Sequence, residues 1–203
     1  MRRFGPVDGV AALLDQDNID TDQVLPSSYM RGVEPDYGAG LFGTWRKDPG
    51  FVLNRPGWER ASILVAGANF GCGSTREHAC WALDGFGIRV LVASSFGEVF
   101  RDNCVKNGLL PIAAPAGPLA ALHALLRAAS APVRLRVDLP AQRVAGPDKF
   151  VMEFDIPPAD KTALLDGLDE IGMTLLLADG IAAWEAAQRA ERPWRQTLRQ
   201  EVA

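Results

Sequence analysis

The chain has 203 residues, of which 48% are hydrophobic, and its 21 basic and 25 acidic side chains give a net charge of −4 at pH 7. These values are ordinary for a soluble globular protein, and the length suits one α/β domain with a short appendage. The negative charge gives no electrostatic basis for binding nucleic acid or an anionic membrane.

The lack of a recognisable signal peptide or membrane-spanning stretch and the pattern of cysteines both favour a cytoplasmic protein. The apolar run near the N-terminus is broken by Gly5 and Pro6, so it does not form a signal peptide. No stretch of about 18 apolar residues is present, which argues against a membrane-spanning helix. The cysteines fit neither a disulfide framework nor a zinc or iron–sulfur ligand set, because they are odd in number and widely spaced. They are Cys72, Cys80 and Cys104.

The N-terminal part of the chain combines one predicted strand with long loops. Residues Val7 to Leu14 alternate weakly and predict a first strand. Asp15 to Asp22 is dense in short polar side chains, which predicts a loop with local hydrogen bonds. It resembles a calcium loop only in acidity, since the glycine and glutamate of that motif are missing. Residues 32–57 mix glycines with aromatic residues and predict a long ordered connection, a kind that is usually functional.

From residue 61 onward the pattern predicts parallel βαβ units and then an antiparallel hairpin. Ser94 and Ser95 are placed to cap the second helix of this region. The fold class expected is therefore α/β, with a parallel sheet, a smaller antiparallel sheet and flanking helices. The predicted strands are 61–66, 88–93, 109–113, 133–139, 142–145 and 150–156, and the predicted helices are 77–86, 96–106, 119–129, 159–167 and 179–192.

The loop between the predicted strand 61–66 and the helix that follows it contains the candidate catalytic residues. Its sequence is Gly-Ala-Asn-Phe-Gly-Cys-Gly-Ser-Thr-Arg-Glu-His-Ala over residues 67–79. Ser74 or Thr75 stands where a helix N-cap is expected, and a helix N-terminus favours an anion. Arg76 adds a permanent cation whose fork matches a carboxylate. The stretch thus predicts an anion site that contains a hydroxyl group.

Three other chemistries for this loop have weaker support. A dinucleotide loop lacks its third glycine, because Arg76 stands there, and a phosphate loop lacks its lysine. Cys72 and His78 would make a nucleophile and base, yet His78 has no evident orienting partner. The remaining candidate is proton transfer by Ser74, with Arg76 binding a substrate carboxylate. On the residues alone, a purely structural role stays equally open, with Ser74 capping the helix and Arg76 paired to a neighbouring acid.

The segment Asn69 to Ala79 resembles the signature of the aconitase-type swivelling domain, and in particular that of isopropylmalate dehydratase small subunits. Further pieces that match the family are spread over almost the whole chain. They are Asp17 to Gln23, Phe51 to Asn54, Ala79 to Leu83, Ser94 to Phe96, Phe100 to Asn103, Gly108 to Pro111, Asp169 to Leu175 and Ile181 to Glu185.

This resemblance implies a β/β/α swivelling domain over residues 1–193, followed by a polar C-terminal tail at 194–203. It also implies a heterodimer or larger complex with a separate large subunit that holds a [4Fe–4S] cluster, while this chain binds no cofactor. The implied reaction interconverts 2-isopropylmalate and 3-isopropylmalate through isopropylmaleate, in leucine biosynthesis. The cluster iron would act as the Lewis acid on the hydroxyl that leaves.

The family likeness also assigns roles to individual residues. Ser74 would be the catalytic base, and Arg76 would hold a substrate carboxylate. Gly73 and Thr75 would contribute to substrate binding, with Thr75 in a position where the family often has a second serine. Asp22 matches an active-site acid of aconitases, which would orient an arginine; the structural alternative is that Asp22 caps the loop.

Substrate choice in the family lies in the loop after the first strand, here residues 27–31. Tyr29, Met30 and Arg31 are the candidates in this sequence. An apolar residue there would suit an isopropyl group and an arginine an extra carboxylate, so the segment leaves the substrate open. A related hydro-lyase acting on citraconate and methylmalate, or on homoaconitate, is one alternative. A non-catalytic subunit that only caps its partner is another.

Overall fold

A computed structural model describes residues 1–32 and 35–195. The chain forms two compact units, Met1–Gly167 and Leu168–Ala203. Within the described residues, no helix combines the length and the apolar character needed to cross a bilayer.

The first unit is built on one seven-stranded sheet in the order β4-β3-β2-β1-β5-β6-β7. The first strand, β1, pairs in parallel with β2 on one side and antiparallel with β5 on the other. The predicted parallel and antiparallel sheets are therefore two halves of a single mixed sheet, because β1 uses both of its edges. The strands are β1 Val7–Leu14, β2 Ala61–Ala66, β3 Val90–Ala93, β4 Leu110–Ala113, β5 Val133–Asp138, β6 Arg143–Ala145 and β7 Val151–Glu153.

The parallel half of the sheet is buried on both faces. In β2, Ile63 and Val65 pack into one hydrophobic cluster, while Leu64 and Ala66 pack into the other. Successive side chains of a strand point to opposite faces, so an unbroken apolar run is what a doubly covered strand requires. This explains why the runs at 61–66 and 90–93 identified their strands from sequence.

Helices of the first unit cover its sheet at positions close to those predicted, although α1 begins at Thr21, inside the segment 15–22 that was predicted as a loop. The fourth helix begins at Glu98, and Gly97 precedes it without a side-chain cap, so the predicted capping by Ser94 and Ser95 is wrong. The apolar run near residue 171, which showed no clear period, forms a short helix. The helices are α1 Thr21–Val24, α2 Tyr37–Gly40, α3 His78–Phe86, α4 Glu98–Lys106, α5 Ala116–Ala128, α6 Pro158–Asp166, α7 Glu170–Leu175 and α8 Ala178–Glu191.

The long connection before β2 contains α2 and several 3₁₀ turns, as its composition predicts. It is tied to α3 by a close backbone approach between Gly38 and Gly85. A Cβ added at Gly38 would lie 2.5 Å from the carbonyl carbon of Gly85, so only glycine fits there. Stacked Phe42 and Trp45 rings anchor the same segment to the core. This packing fixes the connection against the helix that follows the 67–77 loop.

The second unit contains α7 and α8, and neither helix has a buried residue. The two units divide after Gly167, and the domain boundary proposed at residue 193 stays a prediction. Of the predicted tail, residues 196–203 lie outside the described part of the chain.

Candidate active site

Two loops meet beyond the carboxyl ends of the parallel strands β1 and β2. These are residues 15–22, which follow β1 and end in the first two residues of α1, and residues 67–77, which follow β2. Parallel neighbours bring their carboxyl ends to the same edge of a sheet, so the two loops are adjacent. A ladder of backbone hydrogen bonds joins them: Gly67 N to Gln16 O at 3.1 Å, Asn18 N to Ala68 O at 2.8 Å, Gly71 N to Ile19 O at 2.7 Å, and Thr21 N to Cys72 O at 2.9 Å.

Glycine is required at two places in the 67–77 loop. Gly71 has φ +75°, and a Cβ built there would lie 2.2 Å from the buried ring of Phe100. Gly73 has φ +100°, in the left-handed region that side chains rarely adopt. The loop is held from its other side by Ser95, whose Oγ accepts a hydrogen bond from Asn69 N at 2.9 Å. The hydroxyl predicted to cap a helix thus holds this loop instead.

Ser74 and Arg76 form one hydrogen-bonded unit. Ser74 Oγ accepts from the Nε of Arg76 at 2.9 Å and from its backbone N–H at 3.3 Å. Two donors on one hydroxyl oxygen, one of them from a cation, favour its deprotonated form. A serine that is to accept a proton needs donors of this kind on its oxygen.

The predicted N-cap role of Ser74 or Thr75 is wrong. Helix α3 begins at His78, and Glu77 precedes it without a side-chain cap. The φ of +100° at Gly73 and the bonds to the 15–22 loop hold residues 72–76 in an irregular path, so the helix starts later. Ser74 is therefore not part of a helix cap, and the cation beside its hydroxyl is Arg76.

Two buried polar residues that the sequence did not single out fix this loop. Thr21 Oγ1 accepts a hydrogen bond from Ser74 N at 3.0 Å. Asn103 Nδ2, from α4, donates to the carbonyl oxygen of Thr75 at 3.0 Å. Both side chains are under 10% exposed, and buried polar groups of this kind must be paired. Thr21 and Asn103 therefore hold the backbone on either side of the Ser74 side chain.

Asp22 and Met30 lie beside Arg76. The carboxylate of Asp22 is 3.6 Å from the Nη2 of Arg76, and Met30 Sδ is 3.9 Å from Nη1. Both charged side chains are more than half exposed, so their attraction is modest and a substrate carboxylate can compete with it. The lining of the small concavity here is Thr21, Asp22, Met30, Ser74, Arg76, His78 and Ala79.

The other predicted substrate-binding residues lie around this group in different ways. Gly73 and Thr75 are exposed and flank Ser74 in the loop. Tyr29 packs against the core, and its hydroxyl donates to Gly43 O at 3.3 Å, so it faces the long connection and not Arg76. Arg31 is exposed just after the 3₁₀ turn that contains Met30.

The cysteines offer neither a nucleophile with a visible base nor a metal site. His78 Nδ1 is buried and has no hydrogen-bond partner among the described residues, so it does not activate Cys72 through that nitrogen. Cys80 and Cys104 are buried with their sulfurs 3.7 Å apart, and burial raises the pKa of the Cys104 thiol, which keeps it protonated. Within the described residues, no group of three or more His, Cys, Asp or Glu side chains is placed to hold a metal.

A larger cleft of about 740 Å³ lies away from Ser74 and Arg76, between β1, α5 and the long connection. At its edge, Arg127 makes a two-pronged ion pair with Asp15 and lowers the pKa of that carboxyl. The lining of this cleft includes aromatic residues and the ion pair of Asp15 with Arg127, and among the described residues none of its hydroxyl groups has donors aligned on it as Ser74 has. Its size alone therefore does not make it the better candidate for chemistry.

Comparison with known proteins shows which families this chain resembles. Residues 1–117 match the family described as Aconitase C-terminal domain, and residues 170–201 match the C-terminal domain of the 3-isopropylmalate dehydratase small subunit. The chain is 47% identical over 202 residues to the 3-isopropylmalate dehydratase small subunit of Xanthobacter autotrophicus, an alignment that covers 96% of this chain and 100% of the relative.

A second relative, the small subunit of the same name from Rhodospirillum centenum, is 46% identical over 203 residues, covering 96% of this chain and 98% of the relative. Among solved structures, a 3-isopropylmalate dehydratase (leuD) of Methanocaldococcus jannaschii superposes with a TM-score of 0.64 at 24% identity. That match covers 89% of this chain and 99% of the other. The structural match supports the fold, and the sequence matches support the family.

Proposed function

Because the chain belongs to the family of 3-isopropylmalate dehydratase small subunits, hydro-lyases of the aconitase family, we propose that it contributes Ser74 and Arg76 to a shared active site. The proposed reaction interconverts 2-isopropylmalate and 3-isopropylmalate through isopropylmaleate. The observation that carries the proposal is the pair of Arg76 donors on Ser74 Oγ, at 2.9 and 3.3 Å.

Ser74 is the proposed base. Its Oγ takes the proton from the carbon next to a substrate carboxylate, and the electron pair of that C–H bond delocalises into the carboxylate. Hydroxide then departs from the neighbouring carbon to give the alkene, and water adds back in the opposite orientation. Arg76 lowers the activation free energy of this proton transfer in two ways. It stabilises the alkoxide of Ser74, and it binds the carboxylate on which charge develops.

Met30 supports the isopropyl substrate over its relatives. Its side chain lines the same concavity as Ser74 and Arg76, whereas Arg31 is not part of that lining. A thioether surface suits a branched alkyl group, and an arginine would suit a third carboxylate. Residues 27–31 did not decide the substrate from sequence alone. The position of Met30 in the structure favours a substrate with an isopropyl group.

The rest of the active site is assigned to a large subunit, in the cytoplasm. The described residues of this chain do not suit an iron–sulfur cluster, because Cys80 and Cys104 face each other in the core and lack further ligands nearby. A Lewis acid for the departing hydroxyl would come from a [4Fe–4S] cluster on that partner. The chain alone is therefore expected to be inactive.

Reconstitution with the large subunit of the same dehydratase tests the proposal. The purified chain, the large subunit with its cluster restored, and their mixture are assayed for formation of isopropylmaleate from 2-isopropylmalate. Only the mixture is expected to turn over. Ser74→Ala is expected to reduce turnover by about 10³-fold or more with the complex still assembled.

Ser130→Ala is the matched control, because Ser130 is a serine beyond the end of α5, away from Ser74 in the sequence and in the fold. Its turnover should equal that of the unaltered chain. Hydration of isopropylmaleate by the chain alone, without iron, would overturn the proposal. Normal turnover of Ser74→Ala would instead support a subunit that only caps its partner, and better turnover of citraconate or homoaconitate would support a related hydro-lyase.

A further inference from the structure

The second unit exposes an unusual amount of apolar surface. Six large apolar side chains in α7, α8 and the link between them are 40–70% exposed. We call this set the apolar face. It consists of Ile171, Leu175, Leu176, Leu177, Ile181 and Trp184.

The apolar face follows helical spacing and is not a scatter of single residues. Ile171 and Leu175 lie four residues apart in α7, so they share one side of that helix. Leu177, Ile181 and Trp184 are spaced by four and three residues at the start of α8, which places them in one stripe. An apolar stripe of this kind needs a surface to cover it.

The exposed area is close to what a protein interface uses. Side chains exposed to this degree present on the order of 600 Å² of apolar surface, the upper end of what a monomer leaves uncovered. One partner of a standard interface contributes about 800 Å², with a tryptophan or large aliphatic residue at its centre. The two helices contain no buried residue of their own, so covering this face is also their main source of stability.

The charge of the second unit helps to decide which partner could cover the apolar face. Over residues 168–203, which form the second unit, there are six acidic side chains, at 169, 170, 179, 185, 191 and 201, against four arginines, at 189, 192, 195 and 199, so four positive and six negative charges give −2. Two copies of the unit would bring like charge together, which is unfavourable at an interface. A partner with an apolar groove and basic residues at its rim would complement the unit.

We propose that the apolar face docks on the large subunit that completes the active site, in an apolar groove flanked by basic residues. This inference rests on the proposed function. It separates two tasks within the chain, since Ser74 and Arg76 would perform chemistry while the second unit would supply affinity for the partner.

The test compares two full-length variants with the same added charge. Trp184→Glu places a carboxylate in the apolar face. Ala186→Glu places one on the other side of α8, at a position that is also exposed. Binding of each variant to the cluster-reconstituted large subunit is measured by titration. Trp184→Glu should weaken binding by about 30-fold or more, and Ala186→Glu by less than about threefold.

Activity gives a second readout. At saturating concentration of the Trp184→Glu chain, kcat should match that of the unaltered pair, and only the concentration needed to reach it should rise. Unchanged binding by Trp184→Glu, with the unaltered chain still binding and active, would overturn this inference and leave the proposed function standing. Failure of the unaltered chain to bind the large subunit would instead remove the proposed function on which the inference rests.

Measurements on the free chain test two other ways in which the apolar face could be covered, by a second copy or by the chain itself. Sedimentation that shows dimers of the unaltered chain, lost in Trp184→Glu, would mean that a second copy covers the face and would overturn the proposal. A fall in the Tm of the free chain with Trp184→Glu but not with Ala186→Glu would mean that the chain covers the face itself, with the same consequence. A monomer of unchanged Tm is the expected result.

Discussion

The 67–77 loop and the second unit are stabilised in opposite ways. The loop is held by polar bonds from three directions, from the 15–22 loop, from Ser95 and from Asn103. The second unit has no buried residue in either helix and leaves its large apolar side chains exposed. The polar groups of the loop are thus paired within the chain, whereas the large apolar side chains of the second unit are exposed.

The difference follows from what each region is proposed to do. Proton transfer needs reacting groups held within a fraction of an ångström, and a network of paired polar groups provides this before any partner arrives. Affinity for another chain needs apolar area that stays available until the two chains meet. Four substitutions around Ser74, in the 67–77 loop and in the residues that pack beside it, should therefore change turnover and spare assembly.

The largest effect is expected from Arg76→Lys. Lysine keeps the positive charge but lacks the forked guanidinium group of arginine. It therefore cannot donate to Ser74 Oγ and bind a carboxylate at the same time. We expect kcat/KM of the reconstituted pair to fall by about 10²–10³-fold with binding between the subunits unchanged. Retention of full activity by the lysine variant would show that charge alone suffices and that the 2.9 Å bond to Ser74 has no catalytic role.

Met30→Arg should change the substrate preference. The new guanidinium would replace an apolar wall of the concavity next to Arg76 and attract a third carboxylate. We expect the ratio of kcat/KM for 2-isopropylmalate to that for homoaconitate to fall by about 30-fold. Arg31→Ala is the matched comparison, because Arg31 is exposed outside that lining, and an equal shift in this variant would contradict the role given to Met30.

Thr21→Val should loosen the 67–77 loop by removing one hydrogen bond. Valine has the shape of threonine but removes the acceptor for Ser74 N, a bond of 3.0 Å. The expected cost is about 1 kcal/mol of stability by thermal or urea unfolding, with turnover about tenfold lower. Thr21→Ser keeps the hydroxyl and should restore turnover, which separates loss of the hydrogen bond from a general packing defect.

Asp22→Asn should have the smallest effect of the four. The pair with Arg76 is long, at 3.6 Å, and both side chains are largely exposed, so screening by water limits its strength. Turnover is expected to fall by less than about fivefold and the Tm to stay the same. A loss as large as that of Arg76→Lys would mean that Asp22 takes part in the chemistry directly.

The sequence predicted the parts of this protein that depend on local pattern. The apolar runs of β2 and β3 and the polar segment 15–22 were identified because burial on two faces and loop chemistry leave short-range signatures. Thr21 and Asn103 were missed because their role arises only when α4 and the 15–22 loop pack beside Ser74. Both residues lie in segments that match the family, yet nothing in the sequence assigns either side chain to the backbone around Ser74.

The remaining differences also arise from packing over long distances. A continuous sheet was not predicted, because pairing of β1 with β5 joins residues more than a hundred positions apart. The helix cap at Ser74 was wrong because Gly73 takes a left-handed φ that the adjacent loop stabilises. In each case, tertiary contacts outweighed the local preference that the prediction used.

Exchange of the substrate proton tests the central claim most directly. The reconstituted pair is incubated with 2-isopropylmalate in D₂O, and deuterium at the carbon that loses its proton is followed by NMR. The unaltered pair should incorporate deuterium, and the assembled Ser74→Ala pair, with substrate bound, should incorporate almost none. Deuterium incorporation by Ser74→Ala at the unaltered rate would show that another group removes the proton.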